Sequence, residues 1–287
     1  MPWYFYSILS SLSLAGMVLL VRKLTVRGFS SKQILLFLCG FVFFGFLAEN
    51  LVSPGPLWQS ENVSSFLLVM LAAGFFAVIG NWANFESIKR ASNPGYPAAI
   101  GYTTALPVLL FSVLFFQSEL SILKFLGVGL VVLGIIFLVF DRKTNSDLGA
   151  KGFSWRFFAF LTLFSLTVVV MILKKATLFP AAGPKEINFL MFAVNLFGFS
   201  LLNLREFKGY FRAESKLKNF LPLVFLASVF SFLLNFLNIK GLTLAPNPGY
   251  HEAIKSANIL FVTLLSLKLF SVRFEKIKIL GIILISQ

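Results

Sequence analysis

Glu252 and Lys255 are ionisable residues inside a stretch of the sequence that is otherwise mostly apolar. They are three residues apart, and His251 is four residues before Lys255, so on a helix the three side chains share one face. Two interpretations are open. In the first, Glu252 and Lys255 form an ion pair, and Glu252 lies in the first turn of a helix, where the dipole favours an anion. In the second, Lys255 or His251 binds an anionic or zwitterionic group and Glu252 accepts a proton.

Glu86 is the other carboxylate within an apolar stretch, and Asn84 and Lys89 lie beside it. One interpretation is a pair of Glu86 and Lys89 at a helix end, with the lysine stem lying along apolar surface. The other is a polar site inside the protein. Further polar and aromatic residues are candidates to line the same cavity. They are Tyr96, Tyr102, Tyr250, Asn235 and Asn258.

The residue types present do not support an enzymatic site. His251 and Glu252 match the start of a His-Glu-x-x-His zinc motif, but residue 255 is Lys where the second histidine belongs. The chain has 1 His and 1 Cys, so neither a metal site nor an activated nucleophile is indicated. We therefore expect a protein that is not an enzyme and that uses no metal or cofactor.

The composition indicates that lipid surrounds most of the chain. Of the 287 residues, 58% are hydrophobic and only 13% are charged, whereas about a quarter of the residues in soluble domains are charged. The formal net charge is +14, but the Lys and Arg residues fall in short clusters between apolar runs, as in the loops of a membrane protein. The sequence therefore predicts an all-α polytopic membrane protein with no nucleic-acid partner.

Ten apolar runs are candidate transmembrane helices, because a bilayer core about 30 Å thick is crossed by about 20 helical residues. They cover residues 3–21, 33–50, 64–88, 95–117, 122–140, 155–173, 186–204, 219–238, 249–270 and 276–287. Pro94 and Pro97 separate the third run from the fourth, and a polar turn at 117–121 separates the fourth from the fifth. The last run is short, so we expect a truncated tenth helix.

The second half of the chain repeats the first. Asn-Pro-Gly-Tyr occurs at 93–96 and 247–250, and Asn-Phe-x-x-Ile-Lys occurs at 84–89 and 235–240. Each copy holds five spans, and because five is an odd number, the second copy crosses the membrane in the opposite direction. The expected units are 1–141 and 155–287, joined by a loop at 142–154. In secondary transporters, inverted repeats of this kind enclose a substrate site near mid-membrane.

The repeated tetrapeptide predicts a helix start. Asn is a preferred N-cap, and Pro is favoured at the first helical position, where its missing N–H is not needed. Gly allows a close approach of the backbone. Both copies are therefore interpreted as the start of the fourth helix of a repeat. The second copy continues into His251 and Glu252 where the first has Pro97 and Ala98.

Together these features resemble the EamA-type repeat of the drug/metabolite transporter superfamily. The similar features are a helix start of small residues, an apolar helix with an internal proline (Pro107), a short turn with Glu119, and the run LGVGLVVLGIIFL. The resemblance covers nearly the whole chain. It implies ten helices in two inverted halves around a central cavity, and transport of small metabolites, amino acids or drugs. The chain departs from the pattern at 271–275 and at its tenth helix.

The leading hypothesis is a secondary transporter of small polar metabolites in the plasma or inner membrane. It would work by alternating access, with a cavity between the third, fourth, eighth and ninth helices and proton coupling through Glu252 or Glu86. The expected partners are the lipid bilayer, a small solute and protons, and a homodimer is left open. The alternative is a non-transporting or lipid-handling membrane subunit on the same fold. Most Lys and Arg residues follow odd-numbered spans, which places both termini outside the cytoplasm.

Overall fold

The structure is a computed structural model that describes residues 1–59, 61–90, 100–101, 103–139, 155–180, 182–204, 214–262, 265 and 283–284. All regular elements in these residues are helices. The α-helices are α1 Trp3–Val26, α2 Ser31–Val52, α3 Val63–Arg90, α4 Ala105–Phe116, α5 Ile122–Val139, α6 Trp155–Ala176, α7 Pro184–Asn203, α8 Glu214–Leu244 and α9 Pro248–Ser256. A short 3₁₀ helix, Pro56–Gln59, lies between α2 and α3. The predicted all-α class is confirmed.

The helices in the described part of the chain follow the first nine predicted spans in order. Six of them, α1, α2, α3, α6, α7 and α8, are long and apolar enough to cross a membrane, and the apolar helices α4 and α5 are shorter. These lengths and compositions are those of a multi-pass membrane protein. The tenth predicted span is described only at residues 283–284, and the predicted loop 142–154 lies outside the described residues.

The fourth helix differs from its prediction. A span was expected at 95–117, but α4 covers Ala105–Phe116, and Pro107 lies in its first turn instead of inside the helix. Proline fits there because the first N–H groups of a helix have no partner within the helix. The predicted polar turn follows α4, and Gln117 opens it in the left-handed conformation, with φ of 51°.

The ninth helix is also shorter than predicted. A continuous span was expected at 249–270, but α9 ends at Ser256. The backbone tightens there, because the N–H of Ala257 donates to the carbonyl of Ile254 and the N–H of Leu260 donates to that of Ala257. Hydrogen bonds three residues apart replace the α-helical pattern at this point. Residues 258–262 are helical again.

The equivalent helices α2 and α7 of the two repeats pack antiparallel. At the end of α2, the amide of Asn50 donates to the carbonyl of Lys185 at the start of α7, at 3.1 Å. At the end of α7, the amide of Asn203 donates to the carbonyl of Lys32 at the start of α2, at 3.4 Å. Asn203 follows Asn50, and Lys185 follows Lys32, by the same number of residues. One bond made twice by repeat-related residues is the arrangement that an inverted repeat requires.

Other helix pairs are duplicated in the same way. α1 packs against α8, and α6 packs against α3, which is the equivalent pair. Gly45 of α2 lies beside Phe232 of α8, and the equivalent Gly198 of α7 lies beside Val78 of α3. Phe46 stacks on Phe232 with ring centroids 4.1 Å apart. Lipid tails are as apolar as these side chains, so close packing and interhelical hydrogen bonds hold such helices together.

Candidate functional site

The tetrapeptide at 247–250 begins α9 and fixes it against the first half of the chain. Asn247 is the N-cap, and its Oδ1 accepts a hydrogen bond from the N–H of Gly249 at 2.8 Å. The predicted helix start is therefore confirmed for this copy, and the copy at 93–96 lies outside the described residues. A Cβ added to Gly249 would lie 2.3 Å from Cβ of Leu109 in α4. Glycine is needed here because α9 and α4 meet almost backbone to backbone.

Tyr250 joins the start of α9 to the polar turn after α4. Its hydroxyl donates to the carbonyl of Glu119 at 3.2 Å and accepts from the N–H of Ser121 at 2.9 Å. The amide of Asn247 also donates to the carbonyl of Glu119, at 3.2 Å. Tyr250 is only 4% exposed. This candidate cavity residue therefore lies in a joint between the two halves.

A buried polar network connects α1, α8 and α9. Nζ of Lys255 lies 2.5 Å from Oε1 of Glu252 and 3.0 Å from Oδ1 of Asn238 in α8. The same Oδ1 lies 3.0 Å from Nε2 of His251, and Nδ1 of His251 lies 2.7 Å from Oγ of Ser7 in α1. The side chains of Lys255 and Glu252 are 17% and 5% exposed. We call these five residues the α1–α8–α9 network.

The bond pattern assigns one proton to the His251 ring. Oδ1 of Asn238 accepts from Lys255, so it also accepts from His251, and Nε2 carries the proton. Nδ1 then accepts from the hydroxyl of Ser7, whose oxygen lies closer to Nδ1, at 2.7 Å, than to the competing carbonyl of Trp3, at 3.1 Å. A second ring proton would place a cation beside Lys255, with Glu252 as the one carboxylate to balance both charges. The network as assigned is electrically neutral, which suits a site surrounded by lipid.

The geometry of the network can be compared with the first interpretation of the ninth helix, an ion pair with Glu252 in the first turn. Glu252 and Lys255 form the predicted ion pair. The expected position of Glu252 in the first turn is wrong, because the helix begins at Pro248 and its first turn contains no acidic residue. The N-cap Asn247 satisfies a free N–H there, and Lys255 holds Glu252 instead. Ser7 was not identified as a candidate, because a serine in an apolar run gives no signal of its partner.

Glu86 lies in a separate ion pair. Its Oε2 is 3.2 Å from Nε of Arg90, one turn further along α3. Lys89, the expected partner, has a side chain outside the described part of the structure. The guanidinium of Arg90 also lies 4.5 Å from the ring centroid of Phe158 in α6. Glu86 is therefore in an ion pair at the end of this span, and the predicted pair with Lys89 is not tested.

Of the remaining predicted site residues, Asn84, Asn235 and Asn258 are described, and none of them is a member of the network. The amide of Asn235 donates to the carbonyl of Ser231 in its own helix at 2.7 Å. Asn84 is half-buried, and Asn258 is fully buried. Tyr96 and Tyr102 lie outside the described residues.

A cavity of about 1120 Å³ lies between α3, α4 and α6 and is open to the surface, where Phe115 and Phe164 are exposed. Its wall contains four aromatic rings, those of Phe111, Phe115, Phe116 and Phe164. The polar turn after α4 and the end of α6 contribute polar groups, including Glu119, Thr167, Lys174 and Lys175. No member of the α1–α8–α9 network lines this cavity. This cavity differs from the expected one, which was placed between the third, fourth, eighth and ninth helices, because its helical walls are α3, α4 and α6.

Lys174 is a polar residue of this cavity that the sequence analysis missed. It lies in the last turn of α6 and is only 9% exposed, whereas the following Lys175 is exposed. Its Nζ donates to the carbonyl of Leu242 near the end of α8, at 2.8 Å. The equivalent residues Arg22 and Lys23 in α1 are both exposed. Nothing in the sequence separates the two basic pairs, because the burial of Lys174 depends on where α8 ends.

Comparison with known proteins gives a family match for the first half of the chain and a similar fold for nearly all of it. The model of the EamA-like transporter family matches residues 1–140. A solved crystal structure is similar over 99% of this chain and 93% of its own, with a TM-score of 0.70 and 15% identity. At that identity the likeness concerns the fold alone. No curated protein sequence gives a significant match.

Proposed function

We propose that this chain, whose residues 1–140 match the EamA-like transporter family of the drug/metabolite transporter superfamily, is a secondary transporter of small polar metabolites. Its site of action is the plasma or inner membrane, and its solutes are amino-acid-like, amine or organic-anion compounds. The observation that carries the proposal is the α1–α8–α9 network. It places a neutral but ion-containing cluster across the interface between the first half, through α1, and the second half, through α8 and α9.

Alternating access requires the two halves to separate on one side of the membrane and then on the other. The bond between Ser7 and His251 crosses that interface. Interhelical hydrogen bonds in membranes contribute about 0.6 kcal/mol on average, so a single bond of this kind breaks and forms readily. The stronger Glu252–Lys255 pair lies within one helix and can stay intact while the halves move.

Proton coupling through the network follows from its chemistry. When the halves separate, His251 loses its partner on α1, and Nδ1 is then available to accept a proton. Glu252 lies one residue away and neutralises Lys255 in the closed arrangement. A proton taken up by His251 or Glu252 changes the net charge of the network, and that change favours one arrangement of the halves over the other. The ion pair of Glu86 and Arg90 is a second, less buried candidate for the same role.

Reconstituted protein tests the proposal. Purified protein in phosphatidylcholine liposomes is given a defined mixture of amino acids, amines and organic anions under an imposed pH gradient, and retained solutes are quantified by mass spectrometry. We expect protein-dependent accumulation of at least one solute. The double variant Glu252→Gln/Lys255→Met keeps the network uncharged overall and should fold, but it should lose accumulation.

Lys23→Met serves as the matched control, because it removes an exposed lysine at the end of α1. It should transport as the wild type does. Wild-type transport by the double variant would refute the role of the network. Absence of accumulation of every solute by the wild type would favour the alternative, a non-transporting or lipid-handling subunit on the same fold.

A further inference from the structure

We propose that Lys174 binds the carboxylate of an aromatic organic anion in the cavity between α3, α4 and α6. This inference rests on the proposed function and narrows its solute class. It concerns a residue and a cavity that are separate from the α1–α8–α9 network, and so it can be tested separately.

The first observation is a buried cation with little to balance it. Lys174 is 9% exposed and lines the cavity. Its Nζ donates to one backbone carbonyl, that of Leu242. An ammonium has three N–H donors, and none of the ion pairs between described residues includes Lys174. A carboxylate placed in the cavity would supply both the missing charge and a second acceptor.

The second observation is the charge of the cavity wall. Lys174 and Lys175 contribute two positive charges. Glu119 contributes the carboxylate on the polar turn, but its Oε1 already lies 3.1 Å from Nζ of Lys124. The wall therefore keeps an excess of positive charge at the end of α6, which favours an anion over a cation or a neutral solute.

The third observation is the apolar remainder of the wall. Phe111, Phe115 and Phe164 face the same cavity as Lys174, and Phe111 and Phe115 have ring centroids 6.2 Å apart. Aromatic rings favour edge-to-face or offset contacts with another ring at such separations. An organic anion with an aromatic ring and a carboxylate at one end could contact the phenylalanine rings and Lys174 at the same time.

A purely structural role is the competing explanation for Lys174. Leu242 lies in the last turn of α8, where carbonyls lack partners within the helix, and lysine side chains commonly satisfy such groups. Lys174→Gln separates the two roles, since a glutamine amide can still donate to that carbonyl but carries no charge. Lys174→Arg keeps the charge and a donor.

Binding is measured with protein in phosphatidylcholine nanodiscs, by calorimetric titration of 3-phenylpropionate, with 3-phenylpropanamide and 3-phenylpropylamine as neutral and cationic probes of the same shape. We expect the carboxylate to bind best. Lys174→Gln should weaken its binding about 10- to 100-fold, as for loss of a hydrogen bond to a charged group. Lys174→Arg should keep most of the affinity, and Lys23→Met should keep all of it.

Equal binding of the three probes, or an unchanged affinity in a folded Lys174→Gln variant, would overturn the proposal. A second set of nanodiscs contains phosphatidylglycerol. Binding abolished by this anionic lipid would assign the cavity to a lipid headgroup and would also overturn it. Because these measurements detect binding without transport, Lys174-dependent binding would stand even if liposomes accumulated nothing. Conversely, transport unaffected by Lys174→Gln would leave the proposed function intact.

Discussion

Gly249→Ala should destabilise the protein strongly, because the added methyl group meets backbone. The new Cβ would lie 2.3 Å from Cβ, 2.4 Å from Cα and 2.7 Å from N of Leu109. Ordinary contacts between carbon atoms are about 3.5–4.0 Å, so α9 and α4 must separate by about 1 Å. Backbone atoms cannot rotate out of the way as the end of a side chain can.

The cost has two parts. Inserting a methyl group into a well-packed contact costs about 1–3 kcal/mol, and the absence of a yielding side chain places this site at the upper end. The separation also stretches the hydrogen bonds of Asn247 and Tyr250 to the turn after α4. A loss of about 3 kcal/mol corresponds to a fall in Tm of about 5–10 °C for a chain of this size.

The assay is thermal unfolding of detergent-purified protein, followed by intrinsic fluorescence. Gly127→Ala is the matched control, because a Cβ added at that glycine of α5 meets nothing within 4 Å. It should keep or raise Tm, since alanine favours the helix. If Gly249→Ala unfolded at the same temperature as the wild type and the control, the backbone contact between α9 and α4 would not exist as described.

Two further predictions concern the α1–α8–α9 network. Glu252→Gln alone leaves the ammonium of Lys255 without its carboxylate and should lower the free energy of unfolding by about 3–5 kcal/mol. Adding Lys255→Met should restore much of that stability. Equal Tm values for the single and double variants would contradict this. Ser7→Ala should lower Tm by about 1–3 °C, because it removes one interhelical hydrogen bond to His251. The control is Ser10→Ala in the same helix, because the buried hydroxyl of Ser10 has no hydrogen-bond partner among the described residues. This variant should keep the wild-type Tm. An equal fall in Tm for both serine variants would show that the bond to His251 contributes no stability.

The order of the helices and the antiparallel packing of α2 and α7 could be predicted from the sequence. Each apolar run of about 20 residues is long enough to cross the bilayer as a helix. Because five spans are an odd number, the second copy of the repeat starts from the opposite side of the membrane. The ion pair of Glu252 and Lys255 could be predicted as well, because residues three apart on a helix are neighbours. The start of α9 could be predicted from Asn247 and Pro248, because capping by Asn and the fixed φ of Pro depend only on the neighbouring backbone.

Features that depend on distant contacts could not be predicted. Ser7 is far from His251 in the sequence. Nothing local distinguishes it from the other serines of α1, and only the packing of α1 against α9 identifies its partner. The ion pair of Glu86 with Arg90 was not predicted, and the guanidinium of Arg90 also contacts the ring of Phe158, which is distant in the sequence. Lys174 has the same sequence context as Arg22, and its burial is decided by the end of another helix.

The contact between Gly249 and Leu109 also has a mechanical consequence. It joins α9 of one half to α4 of the other at a place where main-chain atoms meet. Sliding there would drive main chain into main chain, so we expect this contact to move little in the proposed alternating access. Under the proposed alternating access, the tetrapeptide is therefore the expected pivot between the halves.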